Sequence, residues 1–309
     1  MQHEPRGCLV RLVGAHVNQD VTRLTLSYHV PRDQYLVFRT GTGFSSYDLH
    51  SHQWQRFPVT TRCSTVDLVV SPDAIIELAA DDYSLVHFKV WPLAATFPRT
   101  CLKTRPQEFY RPCGSVYHLR FVTRSPGTAV APTLVSNRST GELHHADARD
   151  GRLSPPTTPA LVDKAMHGAT NTAIVGTTVH ILCQNTRYEW NLHRFFVGPP
   201  TSHQVTSIPL CPQAGSWNVR TCVHANHFYV LTYHTLVRIG GVGCEAPETF
   251  EVPGVGWGGS ELHLVSSPNF MYVVQCGQDT IARFDASTDQ WTLLPCEWAL
   301  SSFAAVVVV

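Results

Sequence analysis

The sequence predicts an all-β chain of repeated four-stranded sheets, and three observations predict it. Short runs of β-branched and aromatic residues recur about every 8–12 positions, with almost no helical periodicity. Turn residues punctuate those runs: Pro31-Arg32-Asp33, Ser71-Pro72-Asp73 and Ser267-Pro268-Asn269 each stand between two apolar stretches. Finally, residues 47–58 and 284–295 align without a gap as [Tyr/Phe]-Asp-x4-Gln-Trp-x2-[Phe/Leu]-Pro. The repeated unit reads as a strand ending in an aromatic, a polar turn, and a strand that opens with Trp54 or Trp291 and ends at Pro.

That unit resembles the kelch repeat, in which an aromatic-Asp pair is followed about six residues later by Trp. Tyr47-Asp48 with Trp54, and Phe284-Asp285 with Trp291, carry the resemblance. The family's strand-ending Gly-Gly doublet is absent after the second run of each unit. The two Trp are 237 residues apart. Five intervals give about 47 residues per repeat, within the kelch and WD40 range. The resemblance therefore implies a β-propeller of six blades, with seven as the alternative.

Each unit supplies its runs in order. Unit one has 24–28, 35–38, 43–49 and 53–57; unit two has 66–70, 74–79, 84–89 and 91–97. Unit three has 116–122, 130–136, 142–146 and 151–153. Unit four has 171–175, 179–184 and 187–192, with a poorly defined return through 195–197. Unit five has 219–224, 228–233, 235–239 and 249–252, and unit six 261–265, 271–275, 280–285 and 290–294. Two runs are left, 8–13 and 303–309. An open sheet edge offers unpaired N–H and C=O groups, so the terminal valines read as a closing strand beside 24–28 or 8–13. A seventh blade built from both termini is the rival, and a free C-terminal tail docking in a peptide groove is a third reading.

The chain has 309 residues with 23 Lys+Arg and 23 Asp+Glu, so its formal charge is zero. A neutral chain lacks the basic footprint that phosphate binding needs, which argues against nucleic acid as a partner. No stretch reaches the ~20 apolar residues of a membrane helix, and the first thirty residues hold no signal-peptide core. The expected location is the cytoplasm or nucleus, with no membrane partner. Ten Cys are scattered without a CxxC pair, so reduced buried thiols are expected rather than zinc or disulfides.

Three histidine pairs are candidate ligands. His50 and His52 lie in the first repeat's turn; His144 and His145 alternate on a strand and so face opposite ways. His224 and His227 span a predicted hairpin and could chelate. Kelch-type nitrile-specifying proteins carry iron on Glu-x3-Asp-x3-His. Here Glu77 and Asp81 match, but position 85 is Leu and the His stands at 87. No nucleophile elbow, phosphate loop or dinucleotide fingerprint occurs. The expected function is a non-catalytic protein-interaction module without a cofactor or metal, on a single propeller domain spanning residues 1–309. A propeller enzyme or metal-dependent carbohydrate-active protein is the alternative. Partner contacts are expected on the basic, aromatic loop 98–112, through Arg99, Lys103, Arg105, Phe109, Tyr110 and Arg111.

Overall fold

The computed structural model describes residues 9–10, 28–29, 35–58, 64–70, 74–80, 86–92, 119–124, 133–137, 143–147, 152–153, 171–185, 187, 189–196, 203–208, 210, 219–240, 246–255, 262–297 and 305–308. Every regular element among them is a β-strand. Strands β1 (Leu9–Val10) and β2 (Tyr28–His29) pair as a two-stranded ribbon. The first blade joins β26 (Ala305–Val308) to β3 (Tyr35–Thr40), β4 (Gly43–Asp48) and β5 (Trp54–Pro58). A three-stranded sheet follows: β6 (Ser64–Val70), β7 (Ala74–Ala80) and β8 (Val86–Pro92).

The next blade contains β9 (Leu119–Phe121), β11 (Thr133–Asn137), β12 (Leu143–Asp147) and β13 (Arg152–Leu153). Strand β10 (Thr123–Arg124) adds in parallel to a meander of β14 (Asn171–Val175), β15 (Thr178–Gln184), β16 (Trp190–Phe196) and β17 (His203–Ile208). The last two blades are β18 (Val219–His224), β19 (His227–Thr232), β20 (Thr235–Ile239), β21 (Glu248–Glu251), then β22 (Leu262–Ser266), β23 (Met271–Gln275), β24 (Thr280–Asp285), β25 (Gln290–Pro295).

The arrangement is a β-propeller, since each sheet packs its two faces on its neighbours and the series closes. Leu36, Phe38, Tyr47 and Val306 of the first blade share a cluster with Tyr272, Val274 and Ile281 of the last. On its other face that blade packs Val37, Phe44 and Val307 against Leu68 and Ile75 of the three-stranded sheet. That sheet in turn meets Leu119, Phe121 and Val135 through Ile76 and Leu78. The clusters around Trp190 and Phe228, and around Tyr229 and Phe284, continue the series. These fully buried aromatics are why a chain with a low charge content folds as one ring of layers.

Several sequence expectations need correction. Among the described residues five sheets carry four or more strands, so the complete blades there number five rather than six or seven. In unit two the expected third and fourth runs are not two strands: Trp91 and Pro92 continue β8, and residues 93–97 lie outside the described residues. In unit four the third strand is Trp190–Phe196, which takes in the expected return through 195–197, and the fourth is His203–Ile208, further along the chain. A Pro-Pro pair just before Thr201 hides that strand from a reading based on breakers. The terminal run does close the ring. Its partner, however, is β3, with Val307 opposite Val37, and not 24–28 or 8–13. Tyr28 and Leu9 are instead committed to the ribbon.

The two aligned repeats share their local physics. Asp48 accepts from the backbone of His50 and Ser51 at 2.8 and 2.9 Å, and Asp285 accepts from the backbone and hydroxyl of Ser287 at 2.9 and 2.6 Å. These bonds favour the ionised carboxylate and hold both Asp below the ordinary range. Five residues after each aromatic, His52 and Asp289 take left-handed φ values of 58° and 54°. Each motif Trp then lies across from its aromatic, Trp54 against Tyr47 and Trp291 against Phe284, with rings 5.2 and 4.7 Å apart. Both Trp are half-buried, as rings that cover a blade flank are.

Candidate functional site: the propeller axis

The opening strand of each sheet lines the axis. Strand β26 touches β6 and β22, β6 touches β9, and β14, β18 and β22 follow one another, with β10 bridging to β14 and β18. A propeller encloses a central channel at this place. Most side chains of these strands are apolar and point into the blade interfaces. Polar exceptions recur at the same position: Arg120 lies between buried Leu119 and Phe121, Arg220 follows buried Val219, and His263 lies between buried Leu262 and Leu264.

Both arginines are half-buried and fold back in the same way. Arg120 donates to the carbonyl of Leu119 at 2.7 Å, and Arg220 to the carbonyl of Val219 at 3.2 Å. Their charges reach His263, whose Nε2 is enclosed. Burial, then Arg220, then Arg120 depress its imidazolium, so the ring's pKa falls to about 3 and it is neutral at physiological pH. Asp67 is the acidic member. Its Oδ1 accepts from Leu68 N and its Oδ2 from Phe121 N, both at 2.9 Å, tying β6 to β9. The β6–β7 register shifts between Thr65 and Asp67, a bulge that re-aims the carboxylate toward β9.

Other charged groups hold blades together. Arg39 and Glu77, both fully buried, pair at 3.0 Å between the first blade and the three-stranded sheet; Thr65 donates to the same carboxylate at 2.6 Å, and Arg39 donates to Gly43 O at 2.9 Å. Glu77 is thus a structural counter-ion. Asp81, the second carboxylate of the iron-motif spacing, lies outside the described residues. Arg238 bonds Glu248 at 2.6 Å and Asp289 of the neighbouring blade at 2.6 and 3.1 Å. A cleft of about 280 Å³ beside it is lined by His227, Arg238, Gly240, Ala246 and Glu248. Two carboxylates already occupy that guanidinium, so the cleft reads as an inter-blade clamp.

The histidine pairs are also absorbed locally. His224 Nδ1 meets Ser266 Oγ at 3.0 Å and Ser267 O at 3.1 Å, whereas His227 Nδ1 meets Ala225 O at 2.8 Å, so the two rings serve different partners. Tyr47 donates its hydroxyl proton to Pro295 O, which leaves its oxygen to accept from His52 Nδ1 at 2.8 Å. Burial pushes the thiols of Cys183 and Cys296 up to about 12 and that of Cys222 higher still, so they stay protonated and unreactive. Among the described residues no cluster of three His, Cys, Asp or Glu side chains could hold a metal. Arg99, Lys103, Arg105, Phe109, Tyr110 and Arg111 all lie outside the described residues. Sequence reasoning missed Arg120, Arg220 and His263. The available signal was a polar residue breaking the apolar opening run in three separate units.

No family model matches the chain, and no curated protein does. Solved structures do. A chain of a nidogen/laminin complex is 8% identical with a TM-score of 0.59, over 89% of this chain and 97% of that one. Apo AztD from Citrobacter koseri is 11% identical with a TM-score of 0.54, over 89% and 97%. A functionally unknown protein from Desulfotomaculum acetoxidans is 10% identical with a TM-score of 0.51, over 90% and 87%. At these identities the likeness shows the propeller fold and nothing about activity.

Proposed function

We propose that this chain is a non-catalytic, kelch-like interaction propeller that binds another protein in the cytoplasm or nucleus. The observation that carries the reading is that Arg120 and Arg220, both half-buried, stand at the second position of the opening strands β9 and β18 on a protein of zero formal charge. Charge complementarity then selects a partner with an acidic surface. The basic loop residues Arg99, Lys103, Arg105 and Arg111, with Phe109 and Tyr110, have the same preference and form a second proposed contact. The inert thiols and the blade-bridging roles of Glu77 and Arg238 support binding over chemistry.

The test is affinity purification of the full chain with mass spectrometry, repeated with an R99Q/K103Q/R105Q/R111Q variant and with an R120Q/R220Q variant. A stoichiometric acidic partner lost with either variant supports the proposal. A purified chain that turns over a small-molecule substrate, with no protein bound, overturns it.

A further inference from the structure

Resting on that binding reading, we propose that Arg283, at the seam between the last blade and the first, is a subsite for one carboxylate, supplied by an acidic side chain of the bound protein. The chain contains the completed form of this arrangement one blade earlier. There, Arg238 on β20 stands opposite Tyr229 on β19 and Glu248 on β21. In the last blade, Arg283 on β24 stands opposite Tyr272 on β23 and Thr292 on β25, so the two rows correspond strand for strand. Two positions before each arginine, Leu236 packs in a cluster with Phe284 of the next blade, and Ile281 in a cluster with Tyr47 of the first. Side chains alternate along a strand, so Arg283 shares the face of Ile281 and is directed at the first blade, as Arg238 is directed at the last. An aromatic face supports each guanidinium: Phe250 at 5.1 Å from Arg238, and Phe270, packed on the same seam cluster as Ile281, at 4.6 Å from Arg283.

What differs is the supply of carboxylates. Arg238 donates to Glu248 of its own blade at 2.6 Å and to both oxygens of Asp289 in the next turn at 2.6 and 3.1 Å. At the matching places the last seam has Thr292 and His52, and His52 takes the same left-handed turn position as Asp289. Among the described residues Arg283 has neither a hydrogen bond nor an ion pair. Asp285, two positions on, accepts from the backbone and hydroxyl of Ser287. Arg283 is thus a half-buried cation, held in direction by Phe270, at a place where the chain elsewhere puts an anion. His52 is exposed, so that place opens to solvent and to a partner's side chain. The two-oxygen fork of Asp289 on Arg238 identifies the ligand as a carboxylate, the group whose shape and single charge a guanidinium matches.

The experiment uses the full chain and a fluorescein-labelled acidic peptide, GEEDEEG, followed by anisotropy at low salt, with its amide counterpart GQQNQQG and inorganic phosphate as the other arms. The expected result is binding of the acidic peptide alone, weakened about tenfold or more in R283Q and unchanged in R187Q, a surface arginine of another blade. His52→Asp supplies the missing carboxylate from within the chain. It should weaken the peptide as much as R283Q does, and it should raise the urea midpoint relative to the double variant R283Q/H52D, because the new carboxylate has its arginine only in the single variant. Competition by phosphate at concentrations where the peptide fails would assign the place to a free anion and overturn the protein-borne source. Peptide bound equally by wild type and R283Q overturns the subsite, as does a folded H52D that neither weakens the peptide nor depends on Arg283 for its stability. A partner captured by the full chain and retained by R283Q leaves the interaction reading standing and removes this one.

Discussion

His180 offers the sharpest test of how the blades are sealed. It sits on β15 opposite Ala173 and Arg194, fully buried, with neither ring nitrogen hydrogen-bonded. Its ring lies 5.5 Å from Phe228 on β19 of the next blade. Burial, then the buried Arg194, hold its pKa down to about 4. A folded pKa below the unfolded one means that the unfolded chain takes up the proton first. The stability this neutral ring provides is therefore complete above about pH 6.5 and is lost as pH falls toward 4. Between pH 7 and pH 5 the difference amounts to about 2 kcal/mol for this one group. His180→Leu removes the titration and places an apolar side chain of similar size against Phe228. Urea denaturation at both pH values should show the wild type losing about 2 kcal/mol more than the variant. The variant should be as stable as wild type or better at pH 7, since no hydrogen bond is lost. Equal losses in both proteins would refute the buried, neutral assignment.

Other predictions follow from the same blade interfaces. Glu77→Ala should cost about 3–5 kcal/mol in chemical denaturation, because it strands a buried guanidinium, whereas the double change R39M/E77L should cost far less. Trp291→Ala should cost about 2 kcal/mol, below the usual aromatic core penalty because the ring is half-buried; a loss under about 0.5 kcal/mol would remove its role as a flank cover. Tyr47→Phe loses the hydroxyl that bridges Pro295 O and His52, so thermal unfolding should show a deficit of about 1 kcal/mol or more.

How much was legible in the sequence depends on which interactions are local. The turn at Ser267-Pro268-Asn269 was readable because its bonds are local: Ser267 N donates to Phe270 O at 2.8 Å, and Ser267 Oγ accepts from Phe270 N at 2.9 Å. The Asp48 and Asp285 turns were readable for the same reason. Strand β17 was not, since Val205 is an exposed outer-strand residue, paired among the described residues to β16, and its run follows prolines. The axial group was also hidden. Arg120, Arg220 and His263 are separated by about a hundred and by some forty residues, and no spacing rule brings them together. Ring closure does that, and it is a tertiary event. Counting repeats gave six complete blades because the spacing assumes a fourth strand in every unit, whereas among the described residues the unit containing β8 has three.

Closure and the axial group should therefore be coupled. Strand β26 lies between β22, which carries His263, and β6, which carries Asp67. Val306 and Val308 pack on the last blade's cluster, and Val307 and Ala305 on the three-stranded sheet's side, so one short strand wedges both walls apart at a fixed distance. Replacing Val306 and Val308 with Ala removes packing worth about 1.5 kcal/mol at each site, or about 3 kcal/mol together. If closure sets the geometry of the axis, the loosened seam lets water reach His263 and spreads the arginine charges. Its pKa, held at about 3 in the intact ring, should then climb toward 6.5 in the variant while the protein is still folded. Two-dimensional NMR of the imidazole signals, at a temperature well below the melting transition, reads the change. A variant that is clearly destabilised yet keeps His263 unprotonated down to about pH 3 would show that β22, β18 and β9 hold the axis without help from the terminal strand.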